Sequence, residues 1–266
     1  MTTRSNMTAL ITGASSGIGY DLAKEFASHG YNVVLVARSK DKLEQLAQEL
    51  RATYGIKAVV LAQDLSAIGA PQTIFEQVEQ SGVTVDILVN NAGFGSYGFF
   101  HELDVQKELE MIQLNTSALV YLTRLFLPGM VARHHGKILN VASTAAFQPG
   151  PLMAVYYATK AFTLHFSEAI ANELEGTGVT VTVLCPGRTE TGFEARAAMQ
   201  ESKLMQNGLM SSASVAKAGY AALMQAKTII IPGFPNRMIV GLLRLMPRNM
   251  VTRFVRNVQE RRTHSS

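Results

Sequence analysis

Short, nearly continuous apolar runs rich in β-branched residues recur along this chain, and amphipathic stretches lie between them. Such runs are typical of strands that are buried on both faces of a parallel sheet. We predict strands at 7–12, 32–37, 57–62, 85–90, 137–141, 179–184 and 228–231. Helical stretches such as 39–53, with Leu43, Leu46 and Leu50, separate them. The alternation predicts an α/β fold with a doubly wound parallel sheet of about seven strands.

The length of 266 residues fits one large α/β domain, and no linker, repeat or low-complexity segment marks a second domain. A hydrophobic content of 47% with 17% charged residues excludes a disordered chain. No apolar run is long enough to span a membrane, and the N-terminus lacks signal-peptide features, so we expect a cytoplasmic protein. The single Cys185 and six scattered histidines predict neither an internal disulfide nor a metal site.

A glycine-rich loop follows the first predicted strand and reads Thr12-Gly-Ala-Ser-Ser-Gly-Ile-Gly19. Glycines at a strand-to-helix junction let the backbone approach a pyrophosphate, which the helix N-terminus then holds. We expect that helix to begin near Gly17. Because turns and close helix–strand packing also require glycine, this loop alone leaves a structural role open.

Five further motifs follow the loop in a fixed order. They are Asn90-Asn91-Ala92-Gly93, Asn115, Ser143, Tyr156 with Lys160, and Pro186-Gly187 with Thr191. Over residues 7–233 their order and spacing resemble the short-chain dehydrogenase/reductase family. The resemblance implies a Rossmann-fold domain at 1–233, with 234–266 as a helical tail. It also implies metal-free hydride transfer between a nicotinamide cofactor and a carbonyl or alcohol.

Tyr156 and Lys160 are four residues apart and therefore share one helix face. A phenol titrates near pH ~10, and a neighbouring ammonium lowers that value, which would make Tyr156 a usable acid or base. The resemblance implies that Ser143 binds the substrate oxygen and that Asn115 holds a water relaying protons to Lys160. Ser143 could instead cap a turn, and Asn115 could cap a local kink. Tyr157 lies only three residues before Lys160 and is interpreted as a packing residue.

Cofactor preference depends on the end of the second predicted strand, where an acid favours NAD and an arginine accommodates the 2′-phosphate of NADP. The chain has Arg38 there and no acid before Asp41, so we predict NADP(H) over NAD(H), although Arg38 could simply be solvated. The other contacts are implied by the resemblance. The predicted cofactor-binding residues are Gly13, Ser15, Ser16, Gly17, Ile18, Gly19, Arg38, Asp64, Leu65, Asn91, Ala92, Gly93, Tyr156, Lys160, Pro186, Gly187, Thr189 and Thr191.

Substrates in this kind of fold bind at the loops that follow the carboxyl ends of the strands. Here those loops are rich in aromatic residues and methionine and carry little charge, so they favour a lipophilic carbonyl or alcohol. The same side chains could instead pack on one another or between subunits. Besides Ser143, the predicted substrate-binding residues are Phe94, Phe147, Met153 and Phe193.

Positive charge is concentrated at the end of the chain. Residues 227–266 hold eight basic residues and one acid, a charge of +7, so residues 1–226 carry 4 − 7 = −3. The tail predicts two basic amphipathic helices, the second with Met250, Val251, Phe254, Val255 and Val258 on one face. Such helices can cover a pocket, pack on a partner subunit, or make peripheral membrane contact through residues 236–262. The body lacks the basic, aromatic face that nucleic-acid binding requires.

Together these features predict an NADP-dependent oxidoreductase that interconverts a carbonyl and a secondary alcohol, with Tyr156 as acid and base. The resemblance further implies a homodimer or homotetramer. The alternative is a nucleotide-sensing or scaffold protein that keeps the fold without turnover. Loss of Tyr156 or Lys160 would favour that alternative, and both residues are present.

Overall fold

The computed structural model describes residues 7–191, 209–243 and 245–260. Its strands are β1 Thr8–Thr12, β2 Asn32–Ala37, β3 Ala58–Ala62, β4 Ile87–Asn90, β5 Gly136–Val141, β6 Val179–Leu184, β7 Thr189–Glu190, β8 Met210–Ser211 and β9 Ile229–Ile230. Its α-helices are α1 Gly17–Ser28, α2 Lys40–Tyr54, α3 Ala70–Gln80, α4 Val105–Ile112, α5 Ala118–Ala132, α6 Ala154–Glu173, α7 Ser212–Met224, α8 Phe234–Leu243 and α9 Arg248–Gln259.

Seven parallel strands form the main sheet in the order β3-β2-β1-β4-β5-β6-β9. Each predicted strand overlaps one of them, which confirms the doubly wound α/β fold. The order reverses between β1 and β4, and in such sheets ligands bind at the carboxyl ends of the strands beside this reversal. The sequence pattern missed β7 and β8, which pair outside the main sheet, because strands of two residues have no readable periodicity.

Two apolar layers cover the sheet, one on each face. Along β1, Ala9 and Ile11 belong to the layer that holds Leu22 and Phe26 of α1. The intervening Leu10 belongs to the layer on the opposite face, with Ile74 of α3. Successive strand side chains point to opposite faces, so both must be apolar when both faces are covered. This explains why the strands appear in the sequence as continuous apolar runs.

The two C-terminal helices pack on the loops at the carboxyl edge of the sheet. Leu243, Val251 and Val255 form an apolar cluster with Tyr97 and Tyr157. The tail is therefore helical, as expected, and Pro247 lies at the start of α9. Among the described residues, no helix is both long and apolar enough to cross a bilayer.

The predicted apolar face of the second tail helix is only partly buried. Val251 and Val255 are buried, but Met250 and Phe254 are 55% and 53% exposed. The buried stripe continues to Gln259, which has no exposed surface. The helix contacts the body along positions spaced by four residues, and this packing leaves the neighbouring apolar positions outside.

Candidate active site

The glycine loop between β1 and α1 is tightly packed against the segment after β4. Gly13 and Gly17 have φ values of 67° and 58°, in the region that favours glycine. A Cβ on Gly19 would lie 2.4 Å from both the carbonyl oxygen of Gly13 and Nδ2 of Asn91. All three glycines are therefore required by the backbone geometry of this junction.

Thr12 and Asn91 hold the loops after β1 and β4 together. The Thr12 hydroxyl accepts hydrogen bonds from the backbone N–H of Asn91 at 2.9 Å and of Ala92 at 3.0 Å. Asn91 Nδ2 donates to the Thr12 carbonyl at 2.9 Å. Ser16 is the N-cap of α1 and makes no side-chain capping bond. Since the first N–H groups of a helix lack intrahelical partners, this end of α1 can receive a phosphate.

A cleft of about 930 Å³ runs along the carboxyl edge of the sheet. Every predicted cofactor residue lines it except Gly19, which lies behind the loop against Gly13 and Asn91. One continuous surface thus includes residues from the glycine loop, the ends of β2 to β5 and the segment after β6. Such a surface fits a dinucleotide, because its glycine loop allows close backbone approach to a pyrophosphate.

Two basic residues line the end of the cleft beside β2, which we call its outer end. Arg38 and Lys42 both line it, at the end of β2 and in the first turn of α2. Arg38 was identified from the sequence, whereas Lys42 was missed. A signal for Lys42 existed, because it lies four residues after Arg38 and follows a helix start. Asp64 and Leu65 line the same region, beside Gln63.

Tyr156, Ser143 and Lys160 line the part of the cleft beside the end of β5, which we call its inner end. A hydrogen bond joins the side chains of Tyr156 and Ser143. Ser143 also caps the 3₁₀ turn Thr144–Phe147 by accepting from the backbone N–H of Ala145 at 3.1 Å. The capping role and a role in the site therefore coexist. Lys160 Nζ donates to the carbonyl of Val141 at 2.9 Å and lies 5.8 Å from the centre of the Tyr156 ring.

Burial controls the acidity of both groups. It raises the pKa of Tyr156 above the ordinary phenol value, and the bond to Ser143 opposes this rise only in part. The predicted lowering by the Lys160 ammonium is not observed, because desolvation dominates and Lys160 is not among the groups that shift this pKa. Burial also lowers the pKa of Lys160 to about 8, which the adjacent Cys185 thiol partly counteracts. Lys160 can therefore exchange protons close to neutral pH.

Asn115 lies in a π-helical turn, Gln113–Ser117, that separates α4 from α5. Its Oδ1 accepts from the backbone N–H of Phe94 at 3.1 Å, and its Nδ2 donates to the Phe94 carbonyl at 3.0 Å. Nδ2 also donates to Thr159 Oγ1 at 3.1 Å. Asn115 therefore links the loop after β4 to Thr159 of α6, the residue that precedes Lys160. Its carboxamide is buried, and it is not part of the cleft lining.

The predicted substrate residues divide into three groups. Phe94 and Met153 line the cleft near Tyr156. Phe147 does not line the cleft and packs beside Ala146, Leu164 and Val183 in a separate apolar cluster, so nothing here supports its predicted contact with substrate. Phe193 lies outside the described residues. Four polar residues of α4 and its N-terminal flank line the mouth of the cleft and were not predicted from the sequence. They are Asp104, Gln106, Lys107 and Glu110.

Gln259, at the end of α9, is a residue that sequence reasoning missed. Its side chain Nε2 donates to the hydroxyl of Tyr157, and its main-chain carbonyl accepts from the hydroxyl of Tyr97. Tyr157 in turn packs edge-on against Tyr156, with ring centres 6.0 Å apart. Tyr157 is indeed a packing residue, but its partner is the tail.

Replacing Gln259 with leucine should lower the free energy of unfolding by about 1–3 kcal/mol, because a buried hydrogen bond is lost at the Tyr157 hydroxyl. Urea denaturation followed by circular dichroism measures this. Asn257→Ala, at an exposed position of the same helix, should change stability by less than ~0.5 kcal/mol. Equal stability of the two variants would show that Gln259 does not anchor the helix.

The fold and the cleft define a Rossmann-type dinucleotide-binding protein. The family model described as short chain dehydrogenase matches residues 7–202. This covers well over half of the chain, which therefore belongs to the short chain dehydrogenase family.

Three similar proteins refine this picture. Over 184 residues the chain is 38% identical to a very-long-chain 3-oxoacyl-CoA reductase of Anas platyrhynchos, covering 67% of this chain and 58% of that one. It is 33% identical over 247 residues to ketoacyl reductase HetN of a Nostoc species, covering 92% and 85%. A short-chain dehydrogenase from Sphingobium yanoikuyae in complex with NADPH superposes with a TM-score of 0.80 at 31% identity, covering 91% and 97%. The chain thus spans less than two thirds of the first relative.

Proposed function

We propose that this protein is an NADP-dependent oxidoreductase that interconverts a carbonyl compound and a secondary alcohol. The observation that carries the proposal is the convergence of Tyr156, Ser143 and Lys160 at the inner end of the dinucleotide cleft. These three groups can bind a carbonyl oxygen, supply a proton to it and replace that proton. The reductase names of the two sequence relatives support the same chemistry.

The residues of the cleft also fit the cofactor. The glycine loop and the start of α1 would hold the pyrophosphate, and Asn91, Ala92 and Gly93 would lie beside the adenosine half. Bound NADP(H) supplies or accepts the hydride. The segment Pro186 to Thr191 would hold the nicotinamide half, because it lines the cleft beside Tyr156.

Tyr156 protonates the substrate oxygen as negative charge develops on it during reduction, and removes the hydroxyl proton in the reverse direction. Ser143 orients the same oxygen, since its hydroxyl is already bonded to that of Tyr156. Lys160, with a pKa of about 8, restores the proton to Tyr156 from a water-accessible cleft. Asn115 supports this group by holding the Phe94 loop against α6, and a water relay through it stays a prediction.

Arg38 and Lys42 favour NADP(H) over NAD(H), because two cations at the adenosine end of the cleft can pair with a 2′-phosphate. The complex of the Sphingobium protein with NADPH supports this preference.

Replacing Arg38 with glutamine should raise the dissociation constant of NADPH about 10- to 100-fold, because one charge-assisted contact to the phosphate is lost. Binding of NADH should change little. Fluorescence titration of both cofactors measures the two values. Lys40→Gln removes the same charge from a nearby exposed residue outside the cleft lining and serves as the control. Equal weakening of NADPH and NADH binding would contradict the role given to Arg38.

A lipophilic carbonyl compound is the substrate class that we favour. Ala145, Met153 and Tyr157 line the cleft and belong to one apolar cluster with Tyr156, and Phe94 and Leu114 also line the cleft. The names of the two sequence relatives specify oxoacyl substrates, which combine a ketone with an acyl chain. The polar mouth formed by α4 and its flank can accommodate a polar head group outside these apolar residues.

A panel of ketones assayed by loss of NADPH absorbance tests the proposal. It should include 3-oxoacyl thioesters of increasing chain length, bulky cyclic ketones and sugars. We expect turnover that increases with the apolar size of the substrate. NADPH binding without turnover of any member would instead favour the nucleotide-sensing or scaffold alternative.

Three further expectations stay predictions. These are assembly as a homodimer or homotetramer, location in the cytoplasm, and peripheral membrane contact through residues 236–262. Sedimentation equilibrium of the full chain measures the first, and cell fractionation the second. The third depends on the surface that the C-terminal helices expose.

A further inference from the structure

The C-terminal helices expose an unusual density of large apolar side chains. Between Phe234 and Phe254, seven such side chains have exposed fractions of 51–83%. We call them the tail patch: Phe234, Met238, Ile239, Leu242, Leu245, Met250 and Phe254. Large exposed apolar patches mark sites of contact with another molecule or a membrane.

Packing on the opposite side of both helices keeps this patch on the outside. Val240 and Leu243 of α8 are buried, as are Val251, Val255 and Gln259 of α9. The tail patch therefore cannot turn inward without losing the cluster around Tyr157 and the bonds from Tyr97 and to Tyr157.

Positive charge accompanies the tail patch. Helices α8 and α9 contain Arg237, Arg248, Arg253 and Arg256 and no acidic residue. The acid that follows, Glu260, pairs with Arg256 at 3.4 Å, which leaves the other arginines as the net charge of this surface. By sequence, residues 1–226 carry a net charge of −3 and the chain end carries +7. An anionic surface would therefore attract this end of the molecule and repel the rest.

We propose that the tail patch docks this protein on an anionic lipid bilayer, with α8 and α9 lying in the plane of the interface. An apolar face flanked by arginines is the composition that such helices require. A second copy of the chain fits less well. In a two-fold dimer through this patch, the arginines of one copy would face those of the other without acids between them.

Docking in this way also places the cleft near the lipid. The guanidinium of Arg256 lies 4.9 Å from the ring of Phe99, on the loop that leads from β4 to α4. Phe99 and Phe100 are 46% and 66% exposed and lie five and four residues before Asp104, which lines the cleft. If the substrate is lipophilic, as the proposed function holds, it would enter from the bilayer. The docking itself is independent of that function.

Vesicle sedimentation with the full-length protein tests the proposal. Vesicles of equal parts phosphatidylcholine and phosphatidylserine should bind the protein, and phosphatidylcholine alone should bind it at least about tenfold more weakly. Added salt should weaken the binding, because it screens exposed charges. Absence of binding to the anionic vesicles would overturn the proposal.

Two double variants test the apolar and the electrostatic contributions to vesicle binding separately. Met250→Ser with Phe254→Ser removes apolar surface, and Arg248→Gln with Arg253→Gln removes charge. Each pair should weaken vesicle binding about tenfold or more, because each deletes a component of the interfacial free energy. Val105→Ser with Leu109→Ser, at exposed positions of α4, and Arg124→Gln, exposed on α5, are matched controls that should retain binding.

The affinity for NADPH should stay unchanged in all of these variants, so a failure of docking can be told apart from a failure of the proposed function. Vesicle binding that is insensitive to both tail variants would contradict the proposal. So would a dimer, detected by light scattering, that dissociates in the tail variants while vesicle binding persists.

Discussion

Replacing Tyr156 with phenylalanine should lower kcat for carbonyl reduction by about 10³-fold, because the substrate oxygen loses its proton donor. The phenyl ring keeps the packing against Tyr157, so the fold should not change. NADPH affinity should fall by no more than about fivefold, the value of one hydrogen bond. Steady-state kinetics on an active ketone, together with fluorescence titration of NADPH, measures both effects.

Tyr157→Phe is the matched control, since it removes a phenol hydroxyl from the next residue of α6. We expect a loss of about 1 kcal/mol of stability, because the bond from Gln259 disappears, but retention of most turnover. If Tyr156→Phe kept full activity, or if both variants lost activity equally, Tyr156 would not be the acid and base.

A methyl group at Gly19 should strongly impair both stability and NADPH binding, although Gly19 does not line the cleft. In Gly19→Ala the new Cβ would lie 2.4 Å from the Gly13 carbonyl oxygen, so the glycine loop must move. We expect a loss of about 1–3 kcal/mol of stability, and NADPH binding weakened on the order of hundredfold because several phosphate contacts shift together.

Gly69→Ala is the control for that variant. Gly69 precedes α3 with an ordinary negative φ, and a Cβ there would meet nothing within 4 Å. Thermal unfolding and NADPH titration of both variants test the prediction. Unaltered NADPH affinity in Gly19→Ala would mean that the loop geometry does not form the phosphate site.

The sheet and most of the cleft could be predicted from the sequence for a simple physical reason. Ala9, Leu10 and Ile11 are all apolar because the two faces of β1 are both covered, and such runs are easy to recognise. Residues directly after such strands gather at one edge of a parallel sheet. Ser143, after β5, and Asn91, after β4, could thus be assigned to one cleft from their positions in the chain.

Other features depend on contacts between distant parts of the chain. Gln259 bonds to Tyr157, a residue 102 positions away, and no local pattern reports such a pairing. The direction of Phe147 follows from the end of a short 3₁₀ turn, which composition does not reveal. The π-helical turn around Asn115 likewise has no hydrophobic signature. A partial signal existed at Gln259, which continues the four-residue spacing of Val251 and Val255.

The acidity of Tyr156 differs from the prediction because its side chain is buried. The four-residue spacing of Tyr156 and Lys160 predicts that the ammonium lowers the pKa of Tyr156. In the folded protein, desolvation raises the pKa of the phenol and brings that of the lysine to about 8. Spacing along a helix predicts which groups are neighbours, but the degree of burial decides which interaction controls their acidity.

Hydride transfer to a carbonyl carbon within this cleft can be observed directly. The most direct measurement uses NADPH deuterated at the transferable position, with a 3-oxoacyl thioester or a bulky ketone as acceptor, and mass spectrometry of the alcohol product. We predict one deuterium on the carbinol carbon with the wild-type protein, and product formation reduced by about 10³-fold with Tyr156→Phe. An alcohol without deuterium, or NADPH that binds and stays intact with every carbonyl compound offered, would contradict hydride transfer in this cleft.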